Sequence, residues 1–166
     1  MKKGLLLALA VLVLGTNTFA AAPAEGRINA SAGFTVVTGG STFTEEKTSW
    51  TLGLSYEQAI QEALGYIVGA NYKQHGFKAA TYVVEAGLRY DINDKTYAIA
   101  AINSNFVTDG TAGEQNFDSR LGYRLGLGYD VTKEVSAEVS FEQLNNSVNG
   151  EHIKSDTVKV AAIYHF

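Results

Sequence analysis

Three histidines are the side chains best suited to proton transfer in this chain of 166 residues, which contains no cysteine. A histidine in contact with a hydroxyl and a carboxylate can activate a nucleophile. His75 and His152 stand in polar segments, Gln-His-Gly and Glu-His-Ile, and His165 precedes the last residue. None is followed by serine two positions later. We therefore predict solvated histidines and no catalytic residue, although a constellation assembled from separate loops stays open as an alternative.

Three acidic residues could supply oxygen ligands to a cation. Asp109, Glu114 and Asp118 lie in one polar, glycine-containing segment, and carboxylate oxygens are the ligands that Ca²⁺ prefers. The segment lacks the spacing of a calcium-binding loop. The absence of cysteine also excludes a disulfide framework and a cysteine-based metal site. We expect a solvated acidic loop here, with no metal and no cofactor.

Six charged residues of both signs alternate with apolar residues in the sequence. They are Glu85, Arg89, Arg120, Arg124, Glu138 and Glu142. If they share one buried space they can form ion pairs, which removes most of the cost of burying each charge. Arg124 is expected to pair with Glu85 or Glu138. This arrangement requires segments that are far apart in the chain to present one face to a common interior.

Apolar residues recur at every second position in eight segments, and this period predicts β-strands. The segments are 27–38, 48–57, 63–73, 80–90, 96–105, 119–129, 135–142 and 155–166. The fifth is the least regular, because Tyr97, Ile99 and Ala101 compete with Ala98, Ala100 and Ile102. Connections 58–62, 91–95 and 130–134 are short, whereas 39–47, 74–79, 104–118 and 143–154 are mostly longer. The pattern predicts an all-β, eight-stranded antiparallel up-and-down barrel.

The composition of the two strand faces indicates which one faces lipid. Glycine is abundant on the less apolar face, with 17 in the chain, and it suits the narrow interior of an eight-stranded barrel. No charge interrupts the middle of the apolar rows, where an Arg or Lys facing lipid would cost about 2–4 kcal/mol. Tyrosines mark the ends of those rows, as at membrane interfaces. The fold is therefore predicted to be a transmembrane β-barrel.

The first 20 residues are predicted to be a cleaved signal peptide, with the barrel domain in residues 21–166. Lys2 and Lys3 precede an apolar run that is too short to cross a bilayer, and small residues ending at Ala20 follow. Removal of two lysines changes the formal charge from −4 to −6. An acidic chain without a basic cluster indicates no nucleic-acid partner.

The chain resembles the small eight-stranded outer-membrane barrels of Gram-negative bacteria, of the OmpX-like, opacity-protein-like and OmpA transmembrane-domain types. The most specific similarity is to the C-terminal sorting signal of that group, which ends on phenylalanine after alternating hydrophobic residues. The matching residues are Val158, Val160, Ala162, Tyr164 and Phe166. The resemblance implies a monomer in the cell outer membrane, periplasmic termini, contact with lipopolysaccharide, and recognition of the last strand by the barrel assembly machinery.

For function, the resemblance implies a barrel with a plugged polar interior that contributes to membrane integrity. Its surface loops would bind a host or cell-surface ligand in adhesion. The alternative is a narrow, porin-like channel for ions or small solutes. A third possibility is an outer-leaflet lipid A enzyme, since a palmitoyltransferase and a deacylase share this fold class. Both need a histidine near the outer rim, whereas His165 is expected at the inner rim, so we predict no enzyme.

Overall fold

A computed structural model describes residues 26–40, 47–75, 79–109, 117–148 and 151–166. It contains eight β-strands, as the sequence predicted, while the predicted signal peptide 1–20 lies outside the described residues. The strands are β1 (Arg27–Gly40), β2 (Thr48–Gln61), β3 (Leu64–His75), β4 (Ala79–Asp91), β5 (Thr96–Asp109), β6 (Phe117–Asp130), β7 (Val135–Val148) and β8 (Glu151–His165). The described part of the chain holds no helix of the length and hydropathy that crossing a membrane requires.

The strands form one closed antiparallel barrel in sequence order. Each strand pairs with the next one, and β1 pairs with β8 from Asn29↔His165 to Gly40↔Ser155. The backbone nitrogen of Phe166 extends this seam by donating to the carbonyl of Ile28 at 2.9 Å. Closure gives every strand a paired neighbour on both sides, which is a requirement for a sheet that crosses lipid.

Two of the short turns are built in the same way. After β4, the side-chain oxygen of Asn93 accepts hydrogen bonds from the backbone nitrogens of Lys95 (3.0 Å) and Thr96 (2.9 Å). After β6, the hydroxyl of Thr132 accepts from the backbone nitrogens of Glu134 (3.2 Å) and Val135 (3.1 Å). Such side-chain oxygens satisfy backbone donors that the turn leaves unpaired. These turns fix the ends of the hairpins to which the interior charges belong.

Several predicted loops are shorter than expected, because the strands continue past the apolar band. The predicted connection 143–154 was wrong over most of its length, since β7 and β8 remain paired as far as Val148↔Glu151. The predicted connection 104–118 was also too long, because β5 ends at Asp109 and β6 begins at Phe117. In these extensions the strands are held by backbone hydrogen bonds. The outward residues His152 and Lys154 of β8 are polar, so the hydrophobic alternation is lost there, whereas the extension of β5 keeps the outward Phe106.

Inward and outward side chains alternate along the strands, except where the register shifts, as in β6 between Arg120 and Tyr123. In the irregular fifth strand, Tyr97, Ile99 and Ala101 point inward and are buried, whereas Ile102 and Phe106 are exposed on the outer face. Tyr97, Ile99 and Ala101 form a buried apolar cluster with Ile67. The strand has apolar residues at both parities because this part of the interior is itself apolar. The polar functional groups are placed above and below it.

The outer surface is apolar over most of its height. Phe34 on β1 and Leu54 on β2 are 70% and 64% exposed, an exposure that would be unfavourable in water. The charged residues on outward positions of the described strands are at the long-loop end, where Lys154 lies 3.9 Å from Asp156. An apolar band closed around a polar interior is the arrangement of a barrel that spans a membrane.

Candidate functional site

Arg124 on β6 is the centre of the buried charges. Its guanidinium donates through Nη1 to Glu85 on β4. Through Nη2 it donates to both carboxylate oxygens of Glu138 on β7, and both of these distances are 2.8 Å. All three side chains are buried. The sequence left open whether Arg124 pairs with Glu85 or with Glu138. In the structure it pairs with both. Such charge-assisted bonds are the strongest hydrogen bonds that side chains make.

A second group of charges extends this arrangement across the lumen. Lys73 on β3 donates to Glu142 on β7, and both side chains are almost fully buried. Because these strands are four apart in an eight-stranded barrel, the ion pair joins opposite walls. Lys159 on β8 lies 4.0 Å from Glu142 and donates to the side-chain oxygen of Asn71 at 3.2 Å.

Asn71 connects the two groups, because its side-chain nitrogen donates to Glu85 at 3.2 Å. We call the connected set the central network. Its members are Asn71, Lys73, Glu85, Arg124, Glu138, Glu142 and Lys159. Three cations face three anions, so the network carries no formal net charge.

A third group of charges, the rim cluster, occupies the short-turn end of the interior. Arg89 on β4 donates to Asp91 (2.7 Å), Asp130 (3.2 Å) and Glu57 (3.4 Å). Glu57 also accepts a hydrogen bond from Arg27. The rim cluster is defined as these five residues. Three carboxylates surround two guanidinium groups, so Arg89 is held from several sides and has little freedom to leave.

The rim cluster contacts the aromatic ring of Tyr97, a member of the buried apolar cluster. The guanidinium carbon of Arg89 lies 3.7 Å from the centroid of the Tyr97 ring, in cation–π contact. On its other side the ring covers Gly128 on β6, where a Cβ atom would come within 2.0 Å of the ring. Gly128 is therefore required by the close approach of Tyr97. The stack of glycine, tyrosine and arginine gives this end of the lumen a packed wall.

One of the six charged residues predicted inside does not lie there. Arg120 is exposed, because the register of β6 against β7 shifts between Arg120 and Tyr123. This irregularity reverses the parity of β6 beyond Gly122, so Arg120 pairs with Asn145 at an outward position. Glu85, Arg89, Arg124, Glu138 and Glu142 are buried in the interior. The period of two cannot predict a bulge.

Sequence reasoning missed six of the eleven charged residues in the central network and the rim cluster, among them Arg27. Lys73 and Lys159 supply two of the three cations of the central network, and Glu57, Asp91 and Asp130 supply the anions of the rim cluster. A signal was present, because Lys73 shares the parity of Gly69 and Asn71. Lys159 likewise shares the parity of Thr157 and Ala161. Glu57 was expected at the end of a strand, and Asp91 and Asp130 in short connections, but the structure buries Glu57 and Asp91 in the interior.

His165 belongs to a buried group at the short-turn end and not to a solvated loop. Its Nε2 contacts the hydroxyl of Ser136, and its Nδ1 lies 2.7 Å from the side-chain oxygen of Asn29. The Ser136 hydroxyl also donates to Asp130. The group resembles a hydroxyl–imidazole pair of a nucleophilic enzyme, but Ser136 is fully buried. A nucleophile must reach its substrate, and the contacts of this group join β1, β7 and β8 at the short-turn end.

The remaining predicted chemistry is not assembled in the described residues. His152 is exposed on β8, and β3 ends at His75. Glu114 lies outside the described residues, and the backbone of Asp109 and Asp118 belongs to β5 and β6. No group of three or more His, Cys, Asp or Glu side chains within the described ranges could hold a metal ion.

Nearer the long loops the interior holds neutral side chains, which we call the neutral layer. They are Thr35, Thr51, Asn103, Asn105 and Asn146, all buried. Both amide atoms of Asn103 and of Asn146 have no hydrogen-bond partner among the described residues, nor have the hydroxyls of Thr35 and Thr51. On β1, β2, β5 and β7 each of these residues lies closer to the long-loop end than the inward-facing residues of the two charged groups and of the apolar cluster on the same strand. Buried amides without partners are sites for water or for a polar molecule.

The C-terminal residues alternate as the sorting-signal pattern requires. Val160, Tyr164 and Phe166 are exposed on the outer face, and Ala162 shares that face. Val158, the fifth member, is half-buried. The rings of Tyr164 and Phe166 meet edge to face with centroids 4.9 Å apart. These aromatic rings lie at the short-turn end, where an interface between lipid and water is expected.

A closed eight-stranded barrel with an apolar outer band and charges inside is a membrane-spanning barrel. The comparison with protein families gives the same class: the family described as outer membrane protein beta-barrel domain matches residues 6–166. The chain belongs to this family and is an integral protein of the Gram-negative outer membrane, as the sequence predicted. No curated protein sequence matches the chain at a significant level.

Solved structures show the same fold at low sequence identity. The attachment invasion locus protein Ail of Yersinia pestis, in complex with the heparin analogue sucrose octasulfate, is 18% identical with a TM-score of 0.63, covering 86% of this chain and 99% of Ail. Neisserial surface protein A is 17% identical with a TM-score of 0.61, covering 85% and 97%. OprG from Pseudomonas aeruginosa is 13% identical with a TM-score of 0.53, covering 90% and 98%.

Proposed function

We propose that this protein is a non-conducting outer-membrane barrel that acts through its surface. The observation that carries the proposal is the central network, in which the Lys73–Glu142 ion pair joins opposite walls. Eight strands enclose a lumen that side chains just fill. A solute would have to separate buried ion pairs, whose disruption costs about 3–5 kcal/mol each. The interior therefore supports a plugged barrel.

Conductance in planar bilayers tests the closed lumen. The purified protein should show no discrete openings, and neither should a control with the exposed Arg120 replaced by alanine. Reproducible openings in the wild-type protein would contradict the proposal and favour the second candidate, a narrow porin-like channel. The neutral layer is the observation that favours that candidate, because its unpaired amides can solvate an ion that enters from the long-loop end.

With the lumen closed, binding of other molecules falls to the loops. The connections at the long-loop end include residues 41–46, 76–78, 110–116 and 149–150, which lie outside the described residues. We place this end on the cell surface and both termini in the periplasm. Ail is an attachment invasion locus protein, and by analogy we propose adhesion to a host or cell-surface ligand, together with a contribution to membrane integrity.

Adhesion is tested by loop replacement. Cells that display the wild-type protein should attach to a cultured epithelial monolayer, and replacing residues 111–115 by a Gly-Ser segment should reduce attachment. A matched replacement of residues 92–94, in a short turn, should not. Equal attachment by all three strains, or by cells without the protein, would contradict the adhesive role. We propose no enzymatic activity, and an altered lipid A acyl pattern in cells lacking the gene would overturn that.

Export and membrane insertion are part of the proposal. We propose that residues 1–20 are removed on export and that residues 21–166 insert as a monomer in contact with lipopolysaccharide. The assembly machinery would recognise Val158, Val160, Ala162, Tyr164 and Phe166 on the last strand. Deleting Phe166 should reduce the amount of folded barrel in outer-membrane fractions. Unchanged insertion would show that the terminal ring is not part of the recognition signal.

A further inference from the structure

The outer wall of the barrel carries a groove of about 740 Å³. This volume is within the range of about 300–1,000 Å³ that is usual for ligand sites. The groove runs over strands β4 to β7 and is lined on its outward side by Leu88, Tyr90, Ala98, Ala100, Leu125 and Leu127. The outer surface of a small barrel is convex, so a groove there needs a local cause.

The cause is two alanines in the floor of the groove. Ala100 on β5 lies in register between Leu88 on β4 and Leu125 on β6, and Ala98 lies between Tyr90 and Leu127. In both rows, a methyl group is flanked by large side chains on the two neighbouring strands. The floor is one strand wide, and the two flanking strands are roughly 9.5 Å apart at their backbones.

The β6–β7 side of the groove is packed more closely than the rest of the outer face. Leu127, Val139, Phe141 and Val158 line it and are only half-buried, whereas Leu121, outside the groove, is 69% exposed. These four side chains shield one another, because they are adjacent across β6, β7 and β8. They form a fixed apolar bank opposite Leu88 and Tyr90.

A cation stands at the short-turn end of the groove. Lys95 is exposed in the turn that precedes β5, and roughly 10 Å of strand separates it from Ala98. Its backbone is held in place, because its carbonyl accepts a hydrogen bond from the backbone nitrogen of Asp130 at 2.7 Å, while its side chain extends into solvent or the lipid headgroups. Asp94 precedes it in the same turn, so the turn as a whole is not cationic. Tyr90, half exposed, adds an amphipathic ring at this level.

We propose that the groove is a binding site for one acyl chain of a glycerophospholipid, with the phosphate of the same lipid beside the Lys95 ammonium. The occupant follows from the family, because this face of an outer-membrane barrel is surrounded by bilayer lipid. Hydrocarbon tails are as apolar as leucine, so association in a membrane depends on packing. A chain lying over Ala98 and Ala100 fills a space that the surrounding side chains leave empty, and thereby gains packing contacts with them.

Native mass spectrometry tests the site on protein extracted from the outer membranes of cells that express the full chain. The probe is the co-purifying phospholipid, counted per barrel and checked in a second extraction after incorporation into phosphatidylethanolamine and phosphatidylglycerol vesicles. Wild-type protein should retain one phospholipid. The double variant Ala98→Leu/Ala100→Leu, which fills the floor, should retain at least fivefold less.

The matched control is Ala32→Leu, which enlarges an outward alanine on β1, diametrically opposite β5. It should retain as much lipid as the wild-type protein. Lys95→Gln should lower retention by a smaller factor, since an exposed charge pair contributes little. Equal retention by the double variant and the control, or no retained lipid in any folded barrel, would overturn the proposal. Retention of lipopolysaccharide in place of phospholipid would overturn the assignment of the ligand.

Discussion

Toward the short turns and at mid-height, the barrel interior holds charged side chains in ion pairs, whereas nearer the long loops it holds asparagine and threonine. In the charged part, each of Lys73, Arg89, Arg124 and Lys159 has a carboxylate within 4.0 Å. In the neutral layer, Asn103 and Asn146 have no partner for any side-chain polar atom among the described residues. The same lumen is thus filled in two ways.

The difference shows how each part tolerates burial. A buried charge without a partner is very costly, so nearly every charge in this part of the interior needs an opposite charge beside it. A buried amide without a protein partner costs about 1–3 kcal/mol, and water can remove that cost. The charged part is therefore expected to set the stability of the barrel. The neutral layer is the part in which substitutions, water and small molecules should be accepted.

The largest effect is expected from Arg124→Leu, which leaves Glu85 and Glu138 buried without their shared cation. The free energy of unfolding should fall by about 3–5 kcal/mol. Urea unfolding in lipid vesicles, followed through the single tryptophan, Trp50, measures it. Arg120→Leu is the matched control, and its exposed position predicts a change within about 0.5 kcal/mol. Equal losses of stability from the two substitutions would contradict the difference between Arg124, which is paired in the interior, and Arg120, which is exposed on the outer face.

A somewhat smaller effect is expected from Lys73→Met, because Glu142 keeps Lys159 at 4.0 Å. The loss should be about 3 kcal/mol, at the lower end of the range for a broken buried pair. Adding Glu142→Leu should restore part of the stability, since an apolar pair can replace a buried ion pair. The same unfolding assay applies to the single and double variants. A double variant less stable than Lys73→Met would show that Lys159 depends on Glu142.

An intermediate effect is expected from Gly128→Ala, which introduces a methyl group where the Tyr97 ring lies. Displacing the ring disturbs its contact with Arg89, and overpacking of this kind costs about 1–3 kcal/mol. At Gly126 the nearest atom to an added Cβ would be 3.0 Å away, so Gly126→Ala should cost less. Thermal melting in detergent compares the two, and the reverse order would contradict the packing of Tyr97 against β6.

The smallest effect is expected from Asn103→Leu in the neutral layer. Removing unpaired amide atoms should leave the free energy of unfolding unchanged or raise it by up to about 1 kcal/mol. Asn71→Leu is the matched substitution in the charged part, and it should cost about 1.5–3 kcal/mol because Asn71 bonds charged partners. A loss above about 2 kcal/mol for Asn103→Leu would mean that the amide has a firm partner, such as ordered water or a loop.

The fold was predictable because it depends on one property that repeats in the sequence. Leu52, Leu54 and Tyr56 show it in β2, where every second residue meets lipid. The contacts in the interior are harder to predict, because the interior residues share only the property of not facing lipid. Lys73 lies near the long-loop end of β3 and Lys159 in the middle of β8. Both share the parity of inward residues, but the sequence does not show which carboxylate either lysine meets. Both lysines lie near Glu142 on β7, which is the wall opposite Lys73. Only closure of the barrel brings these residues together.

Other features depend on local irregularities of the backbone, which a periodic sequence pattern does not reveal. The register shift before Tyr123 places Arg120 outside. The extension of β7 and β8 to Val148↔Glu151 follows from backbone pairing alone. The groove over Ala98 and Ala100 is visible in the sequence only as two small residues in an ambiguous strand. It becomes a groove because Leu88 and Leu125 stand beside Ala100 in register.

The seam between β1 and β8 has a consequence for the order in which the barrel assembles. Every other pairing joins consecutive strands, whereas Asn29 and His165 are 136 residues apart. The entropy cost of closing a loop rises by roughly 0.6 kcal/mol with each doubling of its length, so this step is the least favoured and is expected last. Until it occurs, two long strand edges remain unpaired. A variant with a weakened seam is therefore expected to fail by edge-to-edge association with other copies, while its hairpins still form.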